Sequence, residues 1–364
     1  MEVSKVQMIG INKNHLSDNK IAFKGETNSV SNDSVEISTK KNGMSNTAKV
    51  AIGIGTIAAI VGGILLHKHF SAKSTKDAVQ NTASEVSQSV RDLISQGKIT
   101  QKEAELFDSI QHLEGETFVK KAYELIAKNM GFEKYPELIV DTTTETMNLA
   151  HTGENITIYT KTFEEFYKND AKAEIVNTLR HELEHFKQGI IIFFKKGDLE
   201  YEAAFKKQKE MYFVDRALFK NVQLDAILNE EAVKYGYNPA SGQFNVEELY
   251  KIIFEHDTPI KTIRAMTPCD FEKLNLTEEE LAKADEYLEG VKNYVTLDRL
   301  PENIILNGNI DREQVRISPY RDRIMKLVGL YLNKGYMDNP TEIAARNAGE
   351  TLRDKFISFL NAIK

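Results

Sequence analysis

Cysteine is almost absent from this chain, and several other features that would define a function class are missing. The single cysteine, Cys269, excludes an intrachain disulfide, and the residues around it hold no pair of metal ligands. The formal net charge of −7 provides no basic excess, which argues against a nucleic-acid partner. A glycine-rich phosphate loop and an internal repeat are also lacking, so neither a nucleotide-binding loop nor a repeat array is predicted.

The N-terminal part differs in composition from the rest of the chain. Residues 1–46 are rich in Ser, Asn, Thr and Lys, and we predict that they are disordered. The uncharged apolar run at 50–66, about 17 residues long, reaches the lower limit for spanning a bilayer. It predicts a transmembrane helix over 47–70 in a single-pass membrane protein, with glycines that allow self-association and with either orientation open. The alternative is a buried soluble helix, and the polar stretch at 71–99 is interpreted as a stalk.

The segment at 181–185 reads His-Glu-Leu-Glu-His, within a stretch at 174–188 whose pattern predicts one helix. Residues four apart on a helix lie one turn above each other, so His181 and His185 project from the same side. Two imidazole nitrogens on one side supply two ligands of a tetrahedral zinc site. Glu182 stands beside them, where a carboxylate can act on a water bound to the zinc. We therefore predict two metal ligands and one catalytic residue in this motif.

The apolar residues of this helix predict a buried side that is not the side of the histidines. The 3,4 spacing of a buried stripe is followed by Ile175, Leu179, Leu183 and Phe186. A helix that is buried along one side and carries histidines along the other suits the wall of a cleft. The alternative is a pair of surface histidines on a charged helix face, where Arg180 and Glu184 form an ordinary ion pair.

A catalytic zinc usually has three protein ligands and one open position, so a third ligand is required. Position 191 is Ile, so the longer motif with a third histidine there is absent and a carboxylate is favoured. Glu342 is the first candidate, because it lies in the first turn of a predicted helix in which small residues follow. Small residues such as Ala344 and Ala345 allow two helices to pack closely.

Glu342 has an alternative role, and the third ligand has an alternative residue. Asn339 as N-cap, Pro340 at the first helical position and Glu342 at the third match a capping box, which alone would explain the glutamate. The other candidate ligand is Glu202, which lies closer to the histidines in the sequence. Its alternative role is to lie on a solvated helix face.

These motifs resemble those of the zincin metallopeptidases, and among them the gluzincin group with its His, His, Glu site. The stretch at 179–188 is similar to the active-site helix of many bacterial members. The resemblance implies an α+β, mostly helical, zincin-like catalytic domain over 100–364. It also implies that zinc is held by His181, His185 and Glu342.

The family further implies a strand beside the cleft, antiparallel to bound substrate. Two β-type runs, 138–140 and 156–160, flank a turn-like segment at 151–155, so we predict a short β-hairpin immediately before the histidine helix. An exposed edge could add a peptide as an extra strand; the alternative is a hairpin that only covers the core. Residues 199–295, which contain several predicted helices and no catalytic motif, are interpreted as a helical insertion.

Together these features predict a membrane-anchored zinc metallopeptidase that hydrolyses a peptide or protein substrate, with residues 50–66 in the membrane. Glu182 would act as the general base. Tyr336 and Arg346 flank Glu342 and are candidates for an oxyanion donor. Two alternatives stay open. One is a non-catalytic, membrane-tethered helical interaction protein, and the other is a zinc hydrolase that acts on a non-peptide bond.

Overall fold

The computed structural model describes residues 87–364 except 145–147, 168–169, 242–244 and 307–308. The predicted disordered segment, the predicted transmembrane helix and most of the predicted stalk therefore lie outside the described residues.

The described chain is mostly helical with a small β component, which confirms the α+β prediction. Its helices are α1 (Gln88–Ser95), α2 (Gln101–Ile110), α3 (Gly115–Asn129), α4 (Thr160–Phe166), α5 (Ala171–Lys196), α6 (Asp198–Lys220), α7 (Leu224–Lys234), α8 (Val246–Asp257), α9 (Ile260–Arg264), α10 (Pro268–Lys273), α11 (Glu278–Ala282), α12 (Ala284–Lys292), α13 (Arg312–Ile317), α14 (Arg321–Leu330) and α15 (Pro340–Ile363). Its strands are β1 (Leu138–Asp141), β2 (Ala150–Thr152), β3 (Ile156–Tyr159), β4 (Ile305–Leu306) and β5 (Asn309–Ile310). Short 3-10 turns occupy Pro239–Ser241, Leu297–Arg299 and Glu302–Ile304, and a π-helical turn occupies Tyr331–Gly335.

The sheet before the histidine helix has the strand order β1-β3-β2, which corrects the predicted hairpin. β1 runs parallel to β3, with Leu138 opposite Ile156, so these two runs are not antiparallel partners. The antiparallel partner of β3 is β2, where His151 lies opposite Thr157. The prediction was wrong because it assigned 151–155 to a turn, whereas residues 150–152 form the returning strand. β2 is consequently an edge strand within the described residues.

Helix α5 runs through the centre of the main hydrophobic core. The predicted stripe is confirmed, since its four members are all buried: Ile175, Leu179, Leu183 and Phe186. The helix ends at Gly197, whose φ of 84° favours glycine and stops the helical backbone. Helix α15 packs along α5, and Gly349 lies against the α5 backbone at Asn177. A Cβ atom at Gly349 would lie 2.6 Å from the carbonyl oxygen of Asn177, so only glycine fits there.

Helix α1 corrects the C-terminal limit of the predicted stalk, which was placed at 71–99. Val90 and Ile99 are buried in the main core, with exposed fractions of 1% and 2%. The Ser87 hydroxyl donates a hydrogen bond of 3.1 Å to the carbonyl of Ala362 near the end of α15. The folded unit therefore already includes residues 87–99, because their apolar side chains complete its core.

The predicted transmembrane helix and the single-pass membrane localisation find no support in the described residues, and both predictions are withdrawn. Across 87–364, within the described parts, no helix combines the length and the apolar character that crossing a bilayer requires. The long helices α5, α6 and α15 carry charged side chains along their lengths, and each buries only a part of its side chains in the protein core. We do not retain the membrane anchor. The run at 50–66 on which it depended lies outside the described residues.

A second, smaller apolar cluster supports the segment that leads to Glu342. It is formed by Leu300, Ile304, Val315, Ile324 and Leu327. Beside it, the fully buried Asp215 of α6 accepts hydrogen bonds from Arg299 and from Arg323, whose Nε lies 2.6 Å away. This ion cluster joins α6 to α14, and so to the chain that enters α15.

Candidate metal centre

The two histidines of α5 face each other one helical turn apart, as predicted. Their ring centroids are 4.7 Å apart with an interplanar angle of 83°, and their Nε2 atoms are 3.0 Å apart. Both side chains are half-buried. The opposite side of α5 is embedded in the core, so the helix has little freedom to move the two rings apart.

Glu342 completes this group from the first turn of α15. Its Oε1 lies 3.1 Å from Nε2 of His185, and its Oε2 lies 3.6 Å from Nε2 of His181. Asn339 is the N-cap of this helix, and its side chain accepts a hydrogen bond of 3.0 Å from the backbone N–H of Thr341. The backbone N–H of Asn339 donates to the carbonyl of Tyr336, so Glu342 does not form the alternative capping box.

These three residues form a group that could hold a metal ion. Ligands at tetrahedral angles, each ~2.0–2.1 Å from zinc, lie about 3.3 Å from one another. The separations lie close to that value: 3.0 Å between the two Nε2 atoms, 3.1 Å from His185 to Oε1 of Glu342 and 3.6 Å from His181 to Oε2. In addition, Oε2 of Glu342 is buried without a hydrogen-bond partner, although Glu342 is only 1% exposed. A bound cation would satisfy this oxygen, so the donor set fits a metal.

Glu202, the other candidate for the third ligand, is not part of the group. It lies half-buried on α6. Glu202 is closer to the histidines than Glu342 in the sequence, but it belongs to the next helix, α6, and does not join them in the structure.

Gln188, which the sequence analysis did not single out, connects the two halves of the centre. Its amide nitrogen donates a 2.8 Å hydrogen bond to the carbonyl of Thr341, beside Glu342. Its Oε1 therefore faces Nδ1 of His185 at 3.0 Å and accepts a hydrogen bond from the Nδ1–H group. This bond leaves the Nε2 lone pair of His185 free for a metal, the arrangement usual for a ligating histidine. The i,i+3 spacing from His185 was the available signal.

Tyr294 is a second functional residue that the sequence analysis missed. Its hydroxyl donates a 3.0 Å hydrogen bond to Oε1 of Glu342. Burial, followed by the charge on Glu342, raises the pKa of Tyr294 well above its ordinary value, so the hydroxyl remains a donor at neutral pH. No sequence signal pointed to it, because the contact spans 48 positions.

Glu182 is buried beside the group and is oriented by the sheet. The hydroxyl of Thr152 on the edge strand β2 donates a hydrogen bond to Oε2 of Glu182. This bond holds one carboxylate oxygen, and it places β2 along the side of α5 that carries the histidines. Thr152 was part of the predicted turn, and its role follows only from the corrected strand pairing.

The electrostatics of the group favour a cation. Burial lowers the pKa of His185, but the Glu342 carboxylate outweighs burial and raises this pKa to about 9. Burial likewise raises the pKa of Glu342, but His185 above all brings it down to about 2. Burial and then the charge on His185 lower the pKa of His181. At neutral pH His181 is therefore neutral, Glu342 is ionised and His185 carries one additional proton. A metal ion that binds the group would displace this proton.

An aromatic wall, formed by Tyr294, Tyr331 and Tyr336, borders Glu342. Tyr331 and Tyr336 stack with ring centroids 5.1 Å apart, and Tyr336 meets Tyr294 edge-on at 5.9 Å. The Arg346 guanidinium lies over the Tyr336 ring, 5.9 Å from its centroid. Both candidates for an oxyanion donor therefore lie beside the metal group.

Comparison of the chain with protein-family models, curated proteins and solved structures finds no match. The similarity to gluzincins consequently depends on the two short motifs alone. A function has to be inferred from the geometry of the centre.

Proposed function

We propose that this protein is a zinc-dependent metallopeptidase with a zincin-like centre. His181, His185 and Glu342 would hold the zinc through two imidazole nitrogens and one carboxylate. Three protein ligands with one position left open are typical of catalytic rather than structural zinc. The observation that carries the proposal is the meeting of these three donors directly beside Glu182, although Glu342 comes from a distant part of the chain.

The chain's own residues would perform the proton transfers. Zinc, when bound, lowers the pKa of a coordinated water to around neutral and polarises a carbonyl oxygen. Glu182 would take the proton of the attacking water and pass it to the leaving amine. Thr152 holds one oxygen of Glu182, which leaves the other oxygen for this proton transfer. Gln188 and Tyr294 keep His185 and Glu342 in ligating orientation.

The edge strand β2 favours a peptide over a non-peptide substrate. β2 pairs with β3 on one side, and its other side has no strand partner within the described residues. An extended peptide can add to such an edge through main-chain hydrogen bonds. Because Thr152 belongs to this strand and contacts Glu182, a peptide bound there would run past the general base.

The proposal is tested on the full-length chain loaded with zinc and incubated with a peptide library. We expect cleavage by the unaltered protein. Glu182→Gln should keep its zinc and lose turnover, whereas His181→Ala should lose the metal itself. Failure to bind zinc after refolding with metal would refute the centre. Zinc binding without cleavage of any peptide would support the metal centre and refute the proposed peptidase activity.

A further inference from the structure

Arg346 lies one helical turn after Glu342 on α15 and faces the metal group. Its guanidinium donates a hydrogen bond to the carbonyl of Met337 and lies over the ring of Tyr336. Its positive charge also contributes, after burial and His185, to the low pKa of His181. The backbone carbonyl and the ring therefore hold the guanidinium at the border of the centre.

Arg346 differs from the comparable arginines in lacking an acidic partner. Among the described residues, the other arginines that are buried or half-buried each pair with a carboxylate: Arg180 with Glu184, Arg216 with Glu231, Arg299 and Arg323 with Asp215, and Arg353 with Glu174. Arg346 is half-buried as well, but no carboxylate of the described residues pairs with it. Partial burial of a charge without a counter-ion costs free energy. An anion from outside the chain would reduce this cost at Arg346.

The shape of the guanidinium selects the kind of anion. Its planar arrangement of five N–H donors matches a carboxylate in a bidentate pair. Met337 uses one nitrogen, Nη2, and leaves N–H groups of the others available. A carbonyl oxygen and an aromatic face orient the group in advance, which lowers the entropy lost when it binds an anion.

We propose that Arg346 binds a carboxylate of the substrate, and this inference rests on the proposed peptidase function. Four residues along a helix advance about 6 Å, which corresponds to about two residues of an extended peptide. The substrate would therefore carry a carboxylate within about two residues of the cleaved bond. This carboxylate is either the free C terminus of the peptide or an Asp or Glu side chain.

The test measures binding rather than turnover. The full-length Glu182→Gln chain, loaded with zinc, is titrated with fluorescent six-residue alanine peptides, and anisotropy reports the affinity. One pair compares a C-terminal acid with a C-terminal amide. A second set of pairs compares amidated peptides that carry either Glu or Gln, placed in turn at each of the positions. In at least one pair the acidic peptide should bind about 10- to 100-fold more tightly, the range for hydrogen bonds to a charged group.

Two further variants in the same background separate recognition from structure. Arg346→Gln should abolish the preference for the acidic peptide, with little change in melting temperature, because Gln can still donate to the carbonyl of Met337. Arg353→Gln removes a charge from the same helix, away from the centre, and should keep the preference.

The outcomes assign the source of the carboxylate or reject the inference. A preference confined to the acid and amide pair identifies a C-terminal carboxylate, and one confined to the Glu and Gln pairs identifies an acidic side chain. Equal binding of the acidic and the neutral peptide in every pair, no binding of any peptide, or a preference that survives Arg346→Gln would overturn the inference. The proposed function is judged separately, by the zinc content of the same protein and by the library digest.

Discussion

Replacing Glu342 by Gln tests the third ligand. Gln has almost the same shape as Glu, so the packing of α15 on α5 should survive. The neutral amide, however, lacks the charge that holds a zinc ion. Gln also serves at the third position of a capping box, so a purely capping role would leave zinc binding untouched.

The expected magnitudes follow from the contacts of Glu342. The hydrogen bond from Tyr294 to a charged carboxylate contributes about 1.5–3 kcal/mol, and the same bond to a neutral oxygen about 0.5–1.5 kcal/mol. Through this bond alone the metal-free variant should lose about 1 kcal/mol of unfolding free energy, a fall in melting temperature of about 2–4 °C, and the lost ion pair with His185 adds to that loss. Because outer-shell partners alone account for about 10- to 100-fold in metal affinity, loss of a direct ligand should weaken zinc binding by more than about 100-fold.

Competition with a zinc chelator measures the affinity, and thermal unfolding of the metal-free protein measures stability. The matched control is Glu202→Gln, which replaces a half-buried glutamate of α6 outside the metal group and should leave zinc binding unchanged. Unchanged zinc affinity in Glu342→Gln would refute the reasoning. Loss of zinc confined to the Glu202→Gln variant would reassign the ligand.

Further predictions concern the general base, the helix contact and the response to acid. Thr152→Val removes the hydroxyl that donates to Glu182, so peptide turnover should fall about tenfold at constant zinc content, the cost of one such bond, and Thr152→Ser should restore it. Gly349→Ala forces α15 away from α5, so denaturant unfolding should show a loss of about 1–3 kcal/mol with weaker zinc binding; unchanged values for both would contradict the close contact. Burial raises the pKa of Asp257, but Lys209 reverses this effect and lowers the pKa below its ordinary 3.8, so the ionised carboxylate stabilises the fold above pH 3.8 and loses this effect as the pH falls. Asp257→Asn should therefore flatten the acid side of the stability profile as the pH falls below 3.8, and a profile parallel to that of the unaltered protein there would argue against this ion pair.

Local sequence patterns were sufficient to predict the half of the metal centre that contains the two histidines. The i,i+4 spacing of His181 and His185 places both rings on one side of any helix, and the 3,4 spacing of the apolar residues places the other side in the core. Both features follow from helical geometry alone, without reference to the rest of the chain. The structure accordingly confirms the stripe and brings the two rings together.

The other half depends on contacts between distant parts of the chain. Glu342 could be proposed as a ligand, but a capping box matched the same residues, and only the packing of α15 on α5 separates the two roles. Gln188 and Thr341 lie 153 positions apart, and no local pattern predicts that they bond. Tyr294 reaches Glu342 in the same way.

The prediction of the strand pairing was wrong for a related reason. The alternating residues of 156–160 predict a strand but not its partner, and the short strand β2 is polar enough to resemble a turn. The edge beside Glu182, and with it the role of Thr152, became visible only from the pairing of β2 with β3.

A crystal structure of the full-length protein with zinc, with anomalous data collected at the zinc absorption edge, tests the central claim most directly. The account predicts one anomalous peak per chain, ~2.0–2.1 Å from Nε2 of His181 and of His185 and ~2.0–2.2 Å from a carboxylate oxygen of Glu342. A chain without a peak at this position, or with zinc held by other residues, would contradict it.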